Sequence, residues 1–390
     1  MTEANNRTQT KDTDHILAIL RECLRLLDIA APGGQSVDSR DSLLAARNIP
    51  LLLVVMALSV IVLGGTVRIN DAGESCPDWP TCFGTLGFDI SEAEQQEWYD
   101  ANPDDLDSRG YGHRYSKSEI FTEWAHRLVA SLSGVVVIAG LLIARKQRDS
   151  LSDTNWSAAK LALVLVVSQG ALGAVTVRMD NTSWSVVAHL VLALTYTTGL
   201  LWWWLVWLRD EDRLPNWARL PTGLAEAGEK LVRDSLAMLL LVVMFGAWVA
   251  TGEGGAYNQG CSVGFWRGWP LCHGELIPTS QMGNSAVDVQ FAHRLVVLIA
   301  FTVLTWYVVR LMRVAKGFEG GRNLTIMGHC GLGFFLLNIA VGGLYIVLAA
   351  GDSGFPEHLS LLHLIFGTLS FLAYALAWLV CKVDEPKLVD

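Results

Sequence analysis

Eight stretches of this chain are each long and apolar enough to cross a bilayer, and nothing constrains its fold more. They cover residues 49–67, 120–144, 158–177, 184–208, 232–250, 287–311, 324–350 and 358–380. A helix needs ~20 apolar residues to cross about 30 Å of hydrocarbon. Lipid offers the backbone no hydrogen-bond partners, so each stretch must be a helix. The composition agrees: 52% hydrophobic and only 17% charged residues, with a mean hydropathy of +0.35, exclude an ordinary soluble domain. Fifteen Trp residues, with tracts such as Trp202-Trp203-Trp204, suit a bilayer-embedded chain. A net charge of -9 offers no basic face to nucleic acid.

Lys and Arg set the expected orientation. Arg145, Lys146 and Arg148 fill one connection, Arg209, Arg213, Arg219, Lys230 and Arg233 a second, and Arg310, Arg313, Lys316 and Arg322 a third. The intervening connections are nearly free of them, which puts both termini inside. No secretory signal precedes the first span, so the chain is expected to start in the cytoplasm of a cell whose plasma membrane it crosses many times. Before the spans, Ile16, Ile19, Leu20, Leu24 and Leu27 recur at helical spacing and predict a short amphipathic helix. The first outer connection carries an acidic insert over residues 89–107, read as a solvated cap in preference to a contact for a basic partner.

The chain repeats itself at long period. Glu123-Trp124-Ala125-His126-Arg127 returns 167 residues later as Gln290-Phe291-Ala292-His293-Arg294. Trp79-Pro80-Thr81-Cys82 is answered by Trp269-Pro270-Leu271-Cys272, and Gly170-Ala171-Leu172-Gly173 loosely by Gly342-Gly343-Leu344. These echoes predict an all-α polytopic membrane protein built as two four-helix bundles, parallel repeats about an axis along the membrane normal. The expected division is an extension over 1–48, a first half over 49–210, a linker over 211–230 and a second half over 231–390.

Four of nine histidines sit at matching places: His126, His189, His293 and His363. Each lies near the outer start of an even-numbered span, and within a half the two are 63 or 70 residues apart, the length of one helix pair. Two imidazoles at one level from two helices can grip a haem iron from both faces of its ring. Ionisable groups are costly in a membrane and usually functional there, which weighs against four packing histidines. Zinc fits less well, for no third ligand accompanies each pair. His329 and His358 read as structural, His113 and His273 as loop residues. Arg127 and Arg294 follow two of the candidate ligands directly and are candidates for haem propionate contacts. Glu123 precedes His126 by three residues and shares its helix face, where a carboxylate can take a proton or stabilise positive charge at a porphyrin edge. Gln290 lacks that charge, so the first half reads as reactive and the second as an electron carrier or relic.

Cys76 and Cys82, and Cys261 and Cys272, fall in outer loops where disulfides are expected. For the second pair the expectation is a structural staple; for the first, a redox relay is a further option. Cys23, Cys330 and Cys381 are expected to be unpaired.

With these residues assembled, the chain resembles the haem A synthase family over about 49–381. The resemblance rests on Gly64-Gly65-Thr66-Val67-Arg68, the Cys76 to Cys82 loop, Glu123-Trp124-Ala125-His126-Arg127, Ala188-His189, Ala292-His293-Arg294 and Leu362-His363. It implies conversion of a methyl group of haem O to the formyl group of haem A, through an alcohol and a hydrated aldehyde, for terminal cytochrome oxidases. It makes His126 and His189 ligands of the substrate haem, His293 and His363 ligands of a haem b cofactor, and Glu123 the catalytic carboxylate. A haem O synthase, an electron-transfer partner and a second copy of the chain are the implied partners, besides lipid. The first 48 residues and the acidic insert depart from the compact bacterial pattern. The rival readings are a di-haem cytochrome b passing electrons from quinol to an outside acceptor, and a haem-delivery transporter. Neither needs Glu123.

Overall fold

A computed structural model describes residues 45–104, 109–251, 257–350 and 355–383 of the chain. The amphipathic helix expected around Ile16 to Leu27 lies outside the described residues. The helices are α1 (Ile49–Ile69), α2 (Glu92–Ala101), α3 (Lys117–Lys146), α4 (Asp153–Arg178), α5 (Ser183–Asp210), α6 (Thr222–Val249), α7 (Ser285–Ala315), α8 (Gly321–Leu348) and α9 (Glu357–Val383). All except α2 are long and apolar enough to span a membrane, eight in number as the hydropathy predicts.

Helix ends extend past the apolar stretches wherever a cap is available. Ser116 and Glu119 form a reciprocal capping box that starts α3 at Lys117, and the Asn284 side chain caps α7. Helix α6 begins at Thr222, within the stretch expected to be a linker. Its first turns carry Glu226, Glu229 and Lys230, which hydropathy alone cannot assign to a span.

The four spanning helices of each half close into a ring. In the first, α1 packs on α3, α3 on α4, α4 on α5 and α5 back on α1; in the second the same order links α6, α7, α8 and α9. The rings meet through α5 against α9, with α6 against α5 and α1 against α9 on either side. The helices at that junction are the best covered: 56% of the apolar window of α9 and 39% of that of α5 are buried, against 28% or less elsewhere. Trp203 and Trp207 of α5 are fully buried rather than lying at the lipid interface, Trp203 inside the first ring beside Gly140 of α3. Each indole finds a hydrogen-bond acceptor, Asn155 at 3.2 Å and Glu211 at 3.0 Å. At the same end, Arg47 pairs with Glu211 at 3.1 Å and Arg209 donates to the Val383 carbonyl at 3.2 Å, joining the start of α1 to the ends of α5 and α9.

The opposite end carries the loops. Cys76–Cys82 and Cys261–Cys272 are disulfides, as expected. After each, the chain reverses through a bridge, Cys82 with Thr85 and Cys272 with Glu275. The central residues Phe83-Gly84 and His273-Gly274 all have positive φ, so a glycine is needed in each turn. Helix α2, within the acidic insert, is capped by Ser91, whose hydroxyl and backbone N–H hold the Glu94 carboxyl below the usual carboxylate range. Gln95 is buried and exchanges two 2.9 Å hydrogen bonds with the backbone of Tyr115. The described part of the insert thus packs on its own small core of Phe83, Ile90, Tyr99, Tyr115 and Ile120 around the first disulfide.

Cys330 departs from expectation. It is disulfide-bonded, whereas Cys381 is a free buried thiol and Cys23 lies outside the described residues. The short spacing that pairs loop cysteines says nothing about a cysteine carried on a helix.

On α3, a methyl group at Gly140 would come within 2.8 Å of Trp203 and 2.9 Å of Ile49, while one at Gly134 would meet nothing. Gly140→Val is expected to cost about 1–3 kcal/mol by overpacking and to lower the thermal unfolding midpoint in detergent. Gly134→Val leaves that midpoint unchanged.

Candidate functional site

Four imidazoles are seated by one device. The His126 ring lies against Gly64 of α1, and His189 against Gly173 of α4; His293 lies against Gly246 of α6, and His363 against Gly342 of α8. A Cβ at these glycines would approach the rings to 3.2, 3.1, 3.3 and 2.8 Å in turn. Each ring therefore occupies space that any other residue would fill. Within each half the two histidines are in electrostatic reach of each other, His126 with His189 and His293 with His363. Each ring of helices thus carries one such pair.

Sequence reasoning missed the side chains that steady the second histidine of each pair. Four residues before the seating glycine, α4 carries Gln169 and α8 carries Asn338. The Gln169 amide nitrogen donates to the His189 carbonyl at 3.1 Å, and that of Asn338 to the His363 carbonyl at 2.6 Å. The His363 Nδ1 lies 2.9 Å from the Asn338 main-chain carbonyl, which makes it the protonated nitrogen. The spacing of four from a glycine that faces a histidine was the available signal, but the change of amide type obscured it.

The first histidine of each pair keeps an unspent atom. His126 Nδ1 and His293 Nδ1 are buried without a hydrogen-bond partner, a situation that costs about 1–3 kcal/mol if nothing binds there. Among the described residues no three His, Cys, Asp or Glu side chains converge as they would around a bare ion. Paired imidazoles, glycine-lined seats and unspent ring nitrogens fit a metal that brings most of its own ligands, as a porphyrin iron does.

The two halves part company at Glu123 and Gln290, both buried at 4% exposure. Arg127 Nε donates to Glu123 Oε1 at 2.5 Å, and Glu123 Oε2 faces His126 Nδ1 at 3.9 Å. Gln290 turns to the loop instead: its oxygen accepts from the Cys261 N–H at 2.5 Å and its nitrogen donates to the Asn258 carbonyl at 2.9 Å. The arginines are used alike. Arg127 donates to the Asp78 carbonyl at 2.7 Å, and Arg294 to the carbonyls of Gly268 at 2.6 Å and Leu271 at 2.8 Å. Asp78 and Gly268 each precede a cis Trp-Pro bond. Arg294 Nη2 stays buried without a partner, a spare donor for an anion.

The other described histidines stand apart. His329 bonds the Thr325 carbonyl of its own helix at 2.8 Å, His273 the Gly260 carbonyl at 2.8 Å, and His113 packs edge-on against Tyr115. His358 is exposed in the first turn of α9.

These features define a multi-pass helical membrane protein with one histidine-paired site in each of two four-helix rings. The family model described as cytochrome oxidase assembly protein matches residues 47–382, and the chain belongs to that family. It is similar to the haem A synthase of Granulibacter bethesdensis, 30% identical over 298 residues that cover 70% of this chain and 71% of that one. It is 26% identical to the haem A synthase of Rhodopseudomonas palustris, covering 77% and 88% of the two chains, and 26% identical to that of Mesorhizobium japonicum, covering 86% and 90%.

Gln290→Leu removes the acceptor of the Cys261 N–H and leaves a buried donor unpaired, at a cost of about 1–3 kcal/mol. Hydrogen exchange at the Cys261 amide is expected to quicken by roughly tenfold or more, with exchange in α9 unchanged.

Proposed function

We propose that this chain is a haem A synthase, an oxidoreductase that turns a methyl group of haem O into the formyl group of haem A. The relatives' names and the family match support this reading. The observation that carries it is the pair Glu123 and Gln290: of two sites built alike, only the first has a carboxylate turned toward its histidine.

The first half, residues 49–210, binds haem O through His126 and His189. The second half, residues 231–390, binds haem b through His293 and His363; the connection to the first half runs over 211–221, before α6 begins at Thr222. Haem b, when bound, supplies a one-electron redox centre. Two successive two-electron oxidations, each adding the oxygen of one water, releasing two protons and passing two electrons to the electron-transfer partner, take the haem O methyl to an alcohol and then to a hydrated aldehyde, which loses water. Arg127 holds the Glu123 carboxylate in one rotamer through Oε1, leaving Oε2 on the side of His126. That oxygen accepts a proton from the reacting carbon's substituents, or offsets positive charge that develops at the porphyrin edge. Low local dielectric strengthens either effect, because Glu123 is shielded from water. Arg294, with its spare nitrogen, and Arg127 contact haem propionates.

The protein acts in the cell membrane with both termini inside, the Lys- and Arg-rich connections facing the cytoplasm. A haem O synthase supplies the substrate, an electron-transfer partner serves the haem b site, and copies of the chain associate.

A host that makes haem O is expected to accumulate haem A when this chain is expressed. Glu123→Ala lowers the haem A yield by a factor of at least about 10², the usual worth of a positioned acid or base, while bound haem b persists. Chromatography of the extracted pigments decides. Identical pigments from the native and Glu123→Ala chains would leave a di-haem cytochrome b as the better reading.

A further inference from the structure

Below the histidines the two rings of helices are finished differently. His126, Ser133 and Gly140 follow one another along α3 at intervals of seven, and His189, Tyr196 and Trp203 do the same along α5. Seven residues return a helix to nearly the same face and carry it ~10.5 Å along its axis. Helices α3 and α5 are opposite corners of the first ring, yet these residues meet across it. A methyl group at Gly140 would touch Trp203, and the Ser133 hydroxyl lies beside that of Tyr196. The interior is therefore layered: imidazoles above, two hydroxyls in the middle and a fully buried indole closing the floor.

The middle layer is unfinished. Ser133 and Tyr196 are each 4% exposed. Ser133 spends its hydroxyl hydrogen on the Ala130 carbonyl at 2.7 Å, which leaves its oxygen able to accept. The Tyr196 hydroxyl is buried without a hydrogen-bond partner, a costly state unless a ligand completes it. At the same places in the second ring stand Ala300, which has no polar side-chain atom, and Ser370, whose hydroxyl donates to the Gly331 carbonyl at 2.8 Å. Tyr374 is a buried, unpartnered phenol in that half, but it lies eleven residues past His363, ~16.5 Å along α9 and below this level.

Haem O and haem b share the porphyrin, the iron and the propionates. Haem O alone carries an isoprenoid chain with a hydroxyl on the carbon next to the ring, on the edge opposite the propionates. With the propionates drawn outward to Arg127, whose guanidinium reaches the outer loop at Asp78, that edge points down the ring toward Tyr196. We propose that Tyr196 and Ser133 select haem O over haem b in the first half: the Tyr196 O–H donates to the chain's hydroxyl, which donates in turn to Ser133 Oγ. The vinyl group that haem b has at that position leaves both protein atoms unpaired. The second ring, with Ala300 and an already bonded Ser370 at this level, makes no such demand. The inference rests on the first half being the substrate site.

The test is competition between the two haems. The full-length chain in lipid nanodiscs is equilibrated with equal amounts of haem O and haem b in excess and washed, and its bound pigments are extracted and separated by chromatography. The share that His189→Ala no longer takes up belongs to the first half, and in the native chain it is expected to be mostly haem O. Tyr196→Phe, which removes only the hydroxyl, lowers the ratio of haem O to haem b in that share about tenfold, the worth of one hydrogen bond, and Ser133→Ala lowers it in the same sense. A phenol that merely filled space between α3 and α5 would leave the ratio untouched, since its loss would weaken both haems alike. An unchanged ratio in Tyr196→Phe, with haem O uptake still dependent on His189, overturns the inference alone. Haem O uptake that survives His189→Ala intact overturns the assignment of the site, and the inference with it.

Discussion

Each of the four imidazoles reaches its position because the neighbouring helix has no Cβ at the point of contact. Gly64, Gly173, Gly246 and Gly342 let the rings lie within ordinary van der Waals distance of helix backbone. Small residues are the usual means by which membrane helices approach closely. Here they make room for a polar ring between helices. The ring closure of α1, α3, α4 and α5, and of α6, α7, α8 and α9, then gathers two such seats into each ring. The seats follow from where four glycines fall on four helices.

On that shared frame a single exchange of functional group separates the halves. An amide both donates and accepts, so Gln290 can link the Cys261 N–H to the Asn258 carbonyl and staple the outer loop to α7. A carboxylate only accepts. Glu123 cannot make the same bridge and takes the guanidinium of Arg127, which leaves its second oxygen by His126. The loss of a loop staple in the first half is met by the α2 cap, where Gln95 ties the insert to Tyr115 next to the start of α3. In this way the half with the carboxylate is also the half with the extra cover.

Much of this was legible in the sequence. The eight spans, the four recurring histidines, the two loop disulfides and the contrast of Glu123 with Gln290 each leave a local mark: a hydropathy run, a repeated tripeptide, a short spacing, a changed charge. What stayed hidden is relational. Nothing in a one-dimensional reading marks Gly246 out from the chain's other glycines, because its meaning lies in the His293 ring that faces it. Gln169 and Asn338 look unrelated until the histidines beside them are superimposed in thought. The clasp of Arg127 on the Asp78 carbonyl was likewise invisible, and it shows the guanidinium serving the loop as well as any ligand. The early start of α6 and the bonded Cys330 escaped because charge content and spacing speak only for short range.

On the proposed reading, the pairs His126 with His189 and His293 with His363 each hold one haem iron. Low-temperature electron paramagnetic resonance of the purified, oxidised protein tests it most directly, because an iron between two imidazoles gives a low-spin signal of its own. Two such signals are expected, with His189→Ala removing one and His363→Ala removing the other. A spectrum that neither substitution alters would contradict the claim.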